Sequence, residues 1–136
     1  MKNKFKLIGI IALAALIIPV TAHAQRRNFI YESPDFNPAH FTARAFDDVI
    51  AATTGEHNIT GTYISELIFL RQSGRVLTFQ SPNNSTTRDM QIQSAPEGLS
   101  QGQRVRVYYY VSSNMTRRRE FLEGNAAWGV FAIERL

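Results

Sequence analysis

The sequence predicts an all-β domain with one short helix, its five strands closed into a small barrel. Three observations carry this. A helical spacing over residues 41–53, where Phe46, Val49 and Ile50 share one face, gives way to a period of two from His57 onward. Four later segments, 75–81, 88–94, 104–113 and 126–136, alternate in the same way and are separated by turn and loop chemistry. The first strand, HNITGTYISELIFL (57–70), is long, and Gly61 within it marks a bulge or sharp bend. A bent first strand can pair along both edges and remove the open ends of the sheet, which is the OB-like Greek-key barrel.

The N-terminal segment stands apart from this pattern. Lys2, Lys4 and Lys6 precede an apolar run from Leu7 to Val20, and Ala22-His23-Ala24 is a small-x-small cleavage site. The run is shorter than the roughly 20 residues of a membrane span, and Pro19 breaks its helix shortly before the cleavage site. Residues 1–24 are therefore expected to be a cleaved Sec-type signal peptide, and the product a soluble periplasmic or secreted protein. With no cysteine in the chain it is not a lipoprotein and folds without disulfides. Three of the 15 basic residues, all the lysines, leave with the signal, so 12 arginines face 11 acidic residues and the net charge falls from +4 to about +1. The high isoelectric point of the whole chain thus carries no argument for a nucleic-acid partner.

The remaining chain of about 112 residues is the size of one domain. Residues 25–40 (QRRNFIYESPDFNPAH) hold two prolines and no clear period, and read as an N-terminal arm packed by Phe29, Ile30 and Tyr31; residues 41–136 form the barrel. The helix contains Asp47-Asp48, adjacent residues that point in different directions and read as two solvated carboxylates. The turn RQSG (71–74) leads to a second strand with Leu77 and Phe79 on one face, and SPNNSTT is loop. A third strand turns Met90 and Ile92 inward. The connector APEGLSQGQ has room for one helical turn. In the fourth strand Val105, Val107, Tyr109 and Val111 face the core and Arg104, Arg106, Tyr108 and Tyr110 face out, so Tyr108→Ser is expected to cost about 1 kcal/mol or less. In the last strand Trp128 and Val130 take one face, with Phe131 and Ile133 nearer the other.

AFDDVIAATTGEHNITGTYISEL (45–67), followed by LSQGQRVRVYYYV (99–111), resembles the OB-fold domains of small exported bacterial proteins. In those, a helix precedes a first strand of V-x-V-x-G-x-V type, and L-x-x-G-x-x-V-x-V-x-G comes later. Ile59-Thr60-Gly61 and the segment from Leu99 to Val105 occupy those places here. LTFQSPNNSTT (77–87) replaces the usual F-x-D-x-T-G turn, and a tyrosine stands for the late glycine of the fourth strand. What the resemblance implies is the barrel; fold alone does not assign a function.

Enzyme chemistry is sparse. The chain lacks a cysteine nucleophile, a Gly-x-Ser-x-Gly elbow, a phosphate-cradling glycine loop and a His-x-x-x-His pair, so no catalytic residue and no cofactor is expected. Glu56-His57 has no regular second pair of ligands for a metal. In an OB barrel the ligand face lies on strands 2 and 3, whose outward residues here are Thr78, Gln80, Asp89, Gln91 and Gln93, with no aromatic to stack a base. Arg71 and Arg75 bracket the first loop of that face, and Arg117, Arg118 and Arg119 lie in the loop before the last strand. These five arginines are the candidate ligand-binding residues. They point to a non-enzymatic binding or adaptor module for an anionic partner: an acidic protein surface, a glycan or lipid headgroups. Local pairing of the arginine loop with Glu120 and Glu123 is the plainer alternative. The second function considered is a single-stranded nucleic-acid-binding OB protein.

Overall fold

The structure, a computed structural model, describes residues 28–54, 59–113 and 127–136. The signal sequence, Glu56-His57 and Arg117 to Arg119 lie outside the described residues. Among the described residues seven strands and one α-helix follow in the order β1 (Phe29–Glu32), β2 (Thr42–Ala43), α1 (Phe46–Thr54), β3 (Ile59–Ser73), β4 (Val76–Gln80), β5 (Thr87–Gln91), β6 (Arg104–Ser113) and β7 (Ala127–Arg135). A single 3-10 turn, Pro38–His40, separates β1 from β2. Among the described residues no helix is long and apolar enough to cross a membrane.

The pairing runs in a circuit. β3 pairs antiparallel with β6 along Ile59 to Ile68 and with β4 from Ile68 to Ser73, so its two halves serve opposite edges. β4 continues to β5, β6 to β7, and a single parallel bridge, Gln91 to Gly129, joins β5 to β7. The strand that pairs on both sides was expected to bend at Gly61. The irregularity lies instead between Phe69 and Arg71, where β3 passes from β6 to β4. Gly61 sits in regular register and serves another need: a Cβ there would come within 2.8 Å of the Tyr63 hydroxyl. Gly74, at φ +59, makes the β3–β4 turn with Arg75, one residue beyond the expected RQSG turn. A glycine with positive φ at the first central position fits a two-residue hairpin whose twist matches that of its strands.

The two strands beyond the five expected come from the N-terminal part of the chain. β1 lies antiparallel on β7, with Tyr31 buried, and β2 runs parallel to Tyr63-Ile64 of β3. Recruitment of Thr42 and Ala43 to β3 delays the helix, which begins at Phe46 instead of near Phe41. Arg44 N donates to Ile64 O at 3.0 Å and Ser65 Oγ to Arg44 O at 2.6 Å, holding the entry extended. The helix then buries Phe46 and Val49, and the Phe46 ring meets Tyr109 and Trp128 at 6.3 and 5.9 Å. The connector before β6 forms turns and no helical turn, with Gly98 and Gly102 at positive φ.

The core is the inward set of the alternating strands: Leu67, Leu77, Phe79, Met90, Val105, Val107, Tyr109 and Val111 are fully buried. The Tyr109 hydroxyl finds Ser65 Oγ at 2.8 Å, and burial pushes its pKa well above the ordinary tyrosine value. Two expectations of facing are corrected. Between Val130 and Ala132 the register of β7 slips at Phe131, so Ile133 returns to the core beside Trp128 and Val130 rather than facing away from them. Tyr108 does face outward from β6, but the arm covers it. Its ring packs against Phe29, Phe36 and Phe41 at 5.7, 4.9 and 5.6 Å, leaving 7% of the residue exposed.

Candidate ligand cleft at the seam between β5 and β7

The circuit is weakest where β5 meets β7, and the reason is geometric. One edge of β7 is shared by two strands. Gln91 of β5 pairs with Gly129, and two residues further the arm takes over, with Ser33 N donating to Phe131 O at 2.8 Å. Between the departing β5 and the arriving arm lies a cleft of about 460 Å³. Its polar lining comes from Ser33, Arg75, Gln91 and Gln93; Val76, Ile92 and Val130 form apolar wall, and Tyr110 and Phe131 add aromatic surface. A second hollow of about 260 Å³ adjoins it, sharing Val76 and Gln91 and adding Asp89, Ala127 and Trp128.

Each lining residue has a traceable origin. Arg75 is carried by the β3–β4 turn, whose backbone is tied to β5 by Ile92 N donating to Arg75 O at 2.9 Å. Gln91 and Gln93 flank the inward Ile92 and face outward by alternation. Tyr110 lies across Gly129, its partner on β7, and meets Phe131 edge-on at 5.8 Å. Only a glycine permits that approach: a Cβ at 129 would stand 2.8 Å from Tyr110 Cδ1 and closer still to the rest of the ring edge. Ser33 closes the arm. Its N–H and carbonyl are both engaged, the latter by Phe36 N at 3.1 Å, yet its Oγ is buried and among the described residues has no hydrogen-bond partner.

Arginine pairing divides the basic residues into two groups. Arg104 Nη2 reaches Glu66 Oε2 at 2.8 Å and Arg106 Nη1 reaches Glu134 Oε1 at 2.8 Å, so the basic face of β6 is neutralised across its strand neighbours. Glu134 also accepts from the Tyr108 hydroxyl at 3.1 Å. Its hydrogen bond and charge raise the Arg106 pKa still further, whereas the Tyr108 pKa rises first through burial and then through that same carboxylate. Arg88 turns inward over the Trp128 ring at 6.0 Å, and desolvation lowers its pKa. Arg71 and Arg75, by contrast, are exposed, and among the described residues neither has a carboxylate within ion-pair distance.

The predicted site residues are thus placed as follows. Arg75 lines the cleft; Arg71 stands on β3 opposite Thr78 and does not. The segment carrying Arg117, Arg118 and Arg119 departs after Ser113 and returns at Ala127, which lines the smaller hollow. On the expected ligand face, Thr78 is buried, with its hydroxyl donating to Asp89 Oδ1 at 2.6 Å. Sequence reasoning missed Ser33, Tyr110 and Phe131 as lining residues, because an arm and a bulge bring them there. It also misjudged Asp47. This carboxylate accepts from Ser81 Oγ at 2.8 Å, Asn83 Nδ2 at 3.2 Å and Asn84 Nδ2 at 3.1 Å, clamping the β4–β5 loop to α1 and holding its own pKa below the ordinary value. Among the described residues no cluster of three or more His, Asp or Glu side chains could hold a metal ion. No match to a protein-family model, to a curated protein or to a solved structure was found.

Proposed function

We propose that the chain is an exported, non-enzymatic binding or adaptor module on an OB-like Greek-key barrel, recognising an anionic partner at the rim of the β5–β7 seam. The pairing circuit β3-β4-β5-β7-β6, with its parallel bridge between the third and last of those strands, supports the barrel reading; β1 and β2 are additions to it. One observation carries the function: Arg104 and Arg106 of the sheet face hold glutamates, and among the described residues Arg71 and Arg75 of the hairpin do not. A guanidinium left with open donors beside a cleft of amide side chains favours a carboxylate-, sulfate- or phosphate-bearing partner. Arg117, Arg118 and Arg119, which lie outside the described residues, are the further arginines offered to that contact. An acidic protein surface, an anionic glycan or a lipid headgroup would suit it.

A single-stranded nucleic acid is the second reading, favoured by the half-buried Tyr110 and Phe131 beside the cleft, since an aromatic face stacks any base. Salt titration of fluorescent probes separates the two. Poly-glutamate, heparin, anionic vesicles and a single-stranded oligonucleotide are each offered to the wild-type protein, to R71Q/R75Q and to R117Q/R118Q/R119Q. The primary reading requires unchanged folding, saturable binding of one of the first three probes, and loss of that binding in both variants. Tight oligonucleotide binding with a steep salt slope selects the second reading. Collapse of stability in the triple variant makes those arginines structural.

A further inference from the structure

We infer that the β5–β7 cleft is a pocket for a carboxylate attached to a flat apolar group, a deepening that rests on the anionic-partner reading. The cleft's volume of about 460 Å³ falls in the range of small-molecule sites, about 300–1,000 Å³. Its charge is one-sided. Arg75 is a cation, Gln91, Gln93 and Ser33 carry donors as well as acceptors, and among the described lining residues none is acidic. The deepest of these donors is the most informative. Ser33 is 5% exposed, its backbone groups are bonded, and among the described residues its hydroxyl has no hydrogen-bond partner. Buried hydroxyls are nearly always satisfied, so an orphan in a residue that lines the cleft is a group an occupant could bond.

The acceptor's charge and shape follow from the same residues. One guanidinium balances one negative charge, and its planar fork matches the two oxygens of a carboxylate. Among the described residues lining the cleft Arg75 is the one cation, so a single negative charge is the match they offer. Tyr110 and Phe131 offer aromatic surface to whatever carries the carboxylate, and Val76, Ile92 and Val130 keep that side apolar. A free aromatic acid and the terminal carboxylate of a peptide present the same group.

The test uses ¹⁵N-labelled protein titrated with N-acetylphenylalanine, its amide, the peptide acetyl-Ala-Ala-Phe with a free carboxylate, and phenyl phosphate. The acid should bind about 10-fold or more tighter than the amide, as expected for a charge-assisted hydrogen bond. The amide signals of Ser33, Gln91, Gln93 and Phe131 should move most. Relative binding of the peptide and the free acid tells which source fits. Ser33→Ala should weaken the acid several-fold while leaving Tm unchanged or raised by a few degrees, because it removes a buried polar group that has no partner. Equal binding of acid and amide, tighter binding of phenyl phosphate, no saturation by about 10 mM, or shifts confined to another face each overturn the pocket. So does a Tm drop of several degrees in Ser33→Ala, which would give the hydroxyl a partner inside the fold. The poly-glutamate assay is run in parallel. A Ser33→Ala protein that keeps polymer binding separates the two claims, and wild type that binds the acid but no polymer leaves the pocket standing while the wider reading fails.

Discussion

Gly129→Ala isolates the contact that shapes the cleft wall. The new Cβ would stand 2.8 Å from Tyr110 Cδ1, where ordinary contacts begin near 3.4 Å, so the ring must move by an ångström or more. Moving it gives up the edge-on meeting with Phe131 at 5.8 Å, worth about 0.5–1.5 kcal/mol beyond area. Forced repacking adds about 1–3 kcal/mol. Replacing a strand glycine returns roughly 0.5–1 kcal/mol. The balance is a loss of about 1–3 kcal/mol in the wild-type background. With Tyr110 cut to alanine the obstruction is gone, and Gly129→Ala should be neutral or stabilising by up to about 1 kcal/mol, leaving a coupling near 2–3 kcal/mol. Urea unfolding of wild type, both single variants and the double variant measures this, followed through Trp128, the chain's one tryptophan and the neighbour of the mutated site. Effects that add to within about 0.5 kcal/mol would refute the argument, because they would mean that the ring does not rest on the glycine.

Three further outcomes follow from the same packing. Tyr108→Ser should cost about 3 kcal/mol, well above the expectation for an outward strand position, since the ring is buried under Phe29, Phe36 and Phe41; Tyr108→Phe, which loses only the Glu134 bond, should cost about 1 kcal/mol by denaturant titration. Val107→Asp puts an unpaired charge at a position with no exposure and should unfold the domain, which circular dichroism reads directly. Asp47 has its pKa lowered below 3.8, first by the Ser81 hydrogen bond and then by Asn83 and Asn84. Its contribution to stability is therefore complete above about pH 4 and declines as pH falls through the lowered value. Asp47→Asn should flatten the acid limb of the denaturation midpoint between about pH 4 and 2; an unchanged limb would show that the loop clamp is not coupled to folding.

Much of the β-sheet was legible because it is written in alternation. Val105, Val107, Tyr109 and Val111 occur at every second position, and a pleated strand can bury such a set on one face only. The same local rule located Leu77, Phe79, Met90 and Ile92, and the turn chemistry between them. It failed wherever a distant segment decides the outcome. The start of the helix depended on β3 taking up Thr42 and Ala43, and the side of Ile133 on a slip at Phe131. Of the candidate site, Arg75 was legible as a charged hairpin residue, but its lack of a partner was not, since Arg104 and Arg106 look the same in the sequence and are matched by Glu66 and Glu134 from other strands.

The sequence by itself thus determined which residues go inside, because burial of apolar side chains at a two-residue period needs only the chain's own geometry. It also determined the absence of disulfides and the charge of the hairpin. Tertiary structure alone decided where the arm lies, and with it two features of the packing. Tyr108 is sealed because Phe29, Phe36 and Phe41 fold over it, and Ser33 stands at the cleft because the arm joins β7 just where β5 leaves. Both depend on edges meeting between segments about 40 to 105 residues apart, and no local periodicity encodes which free edge a segment will find.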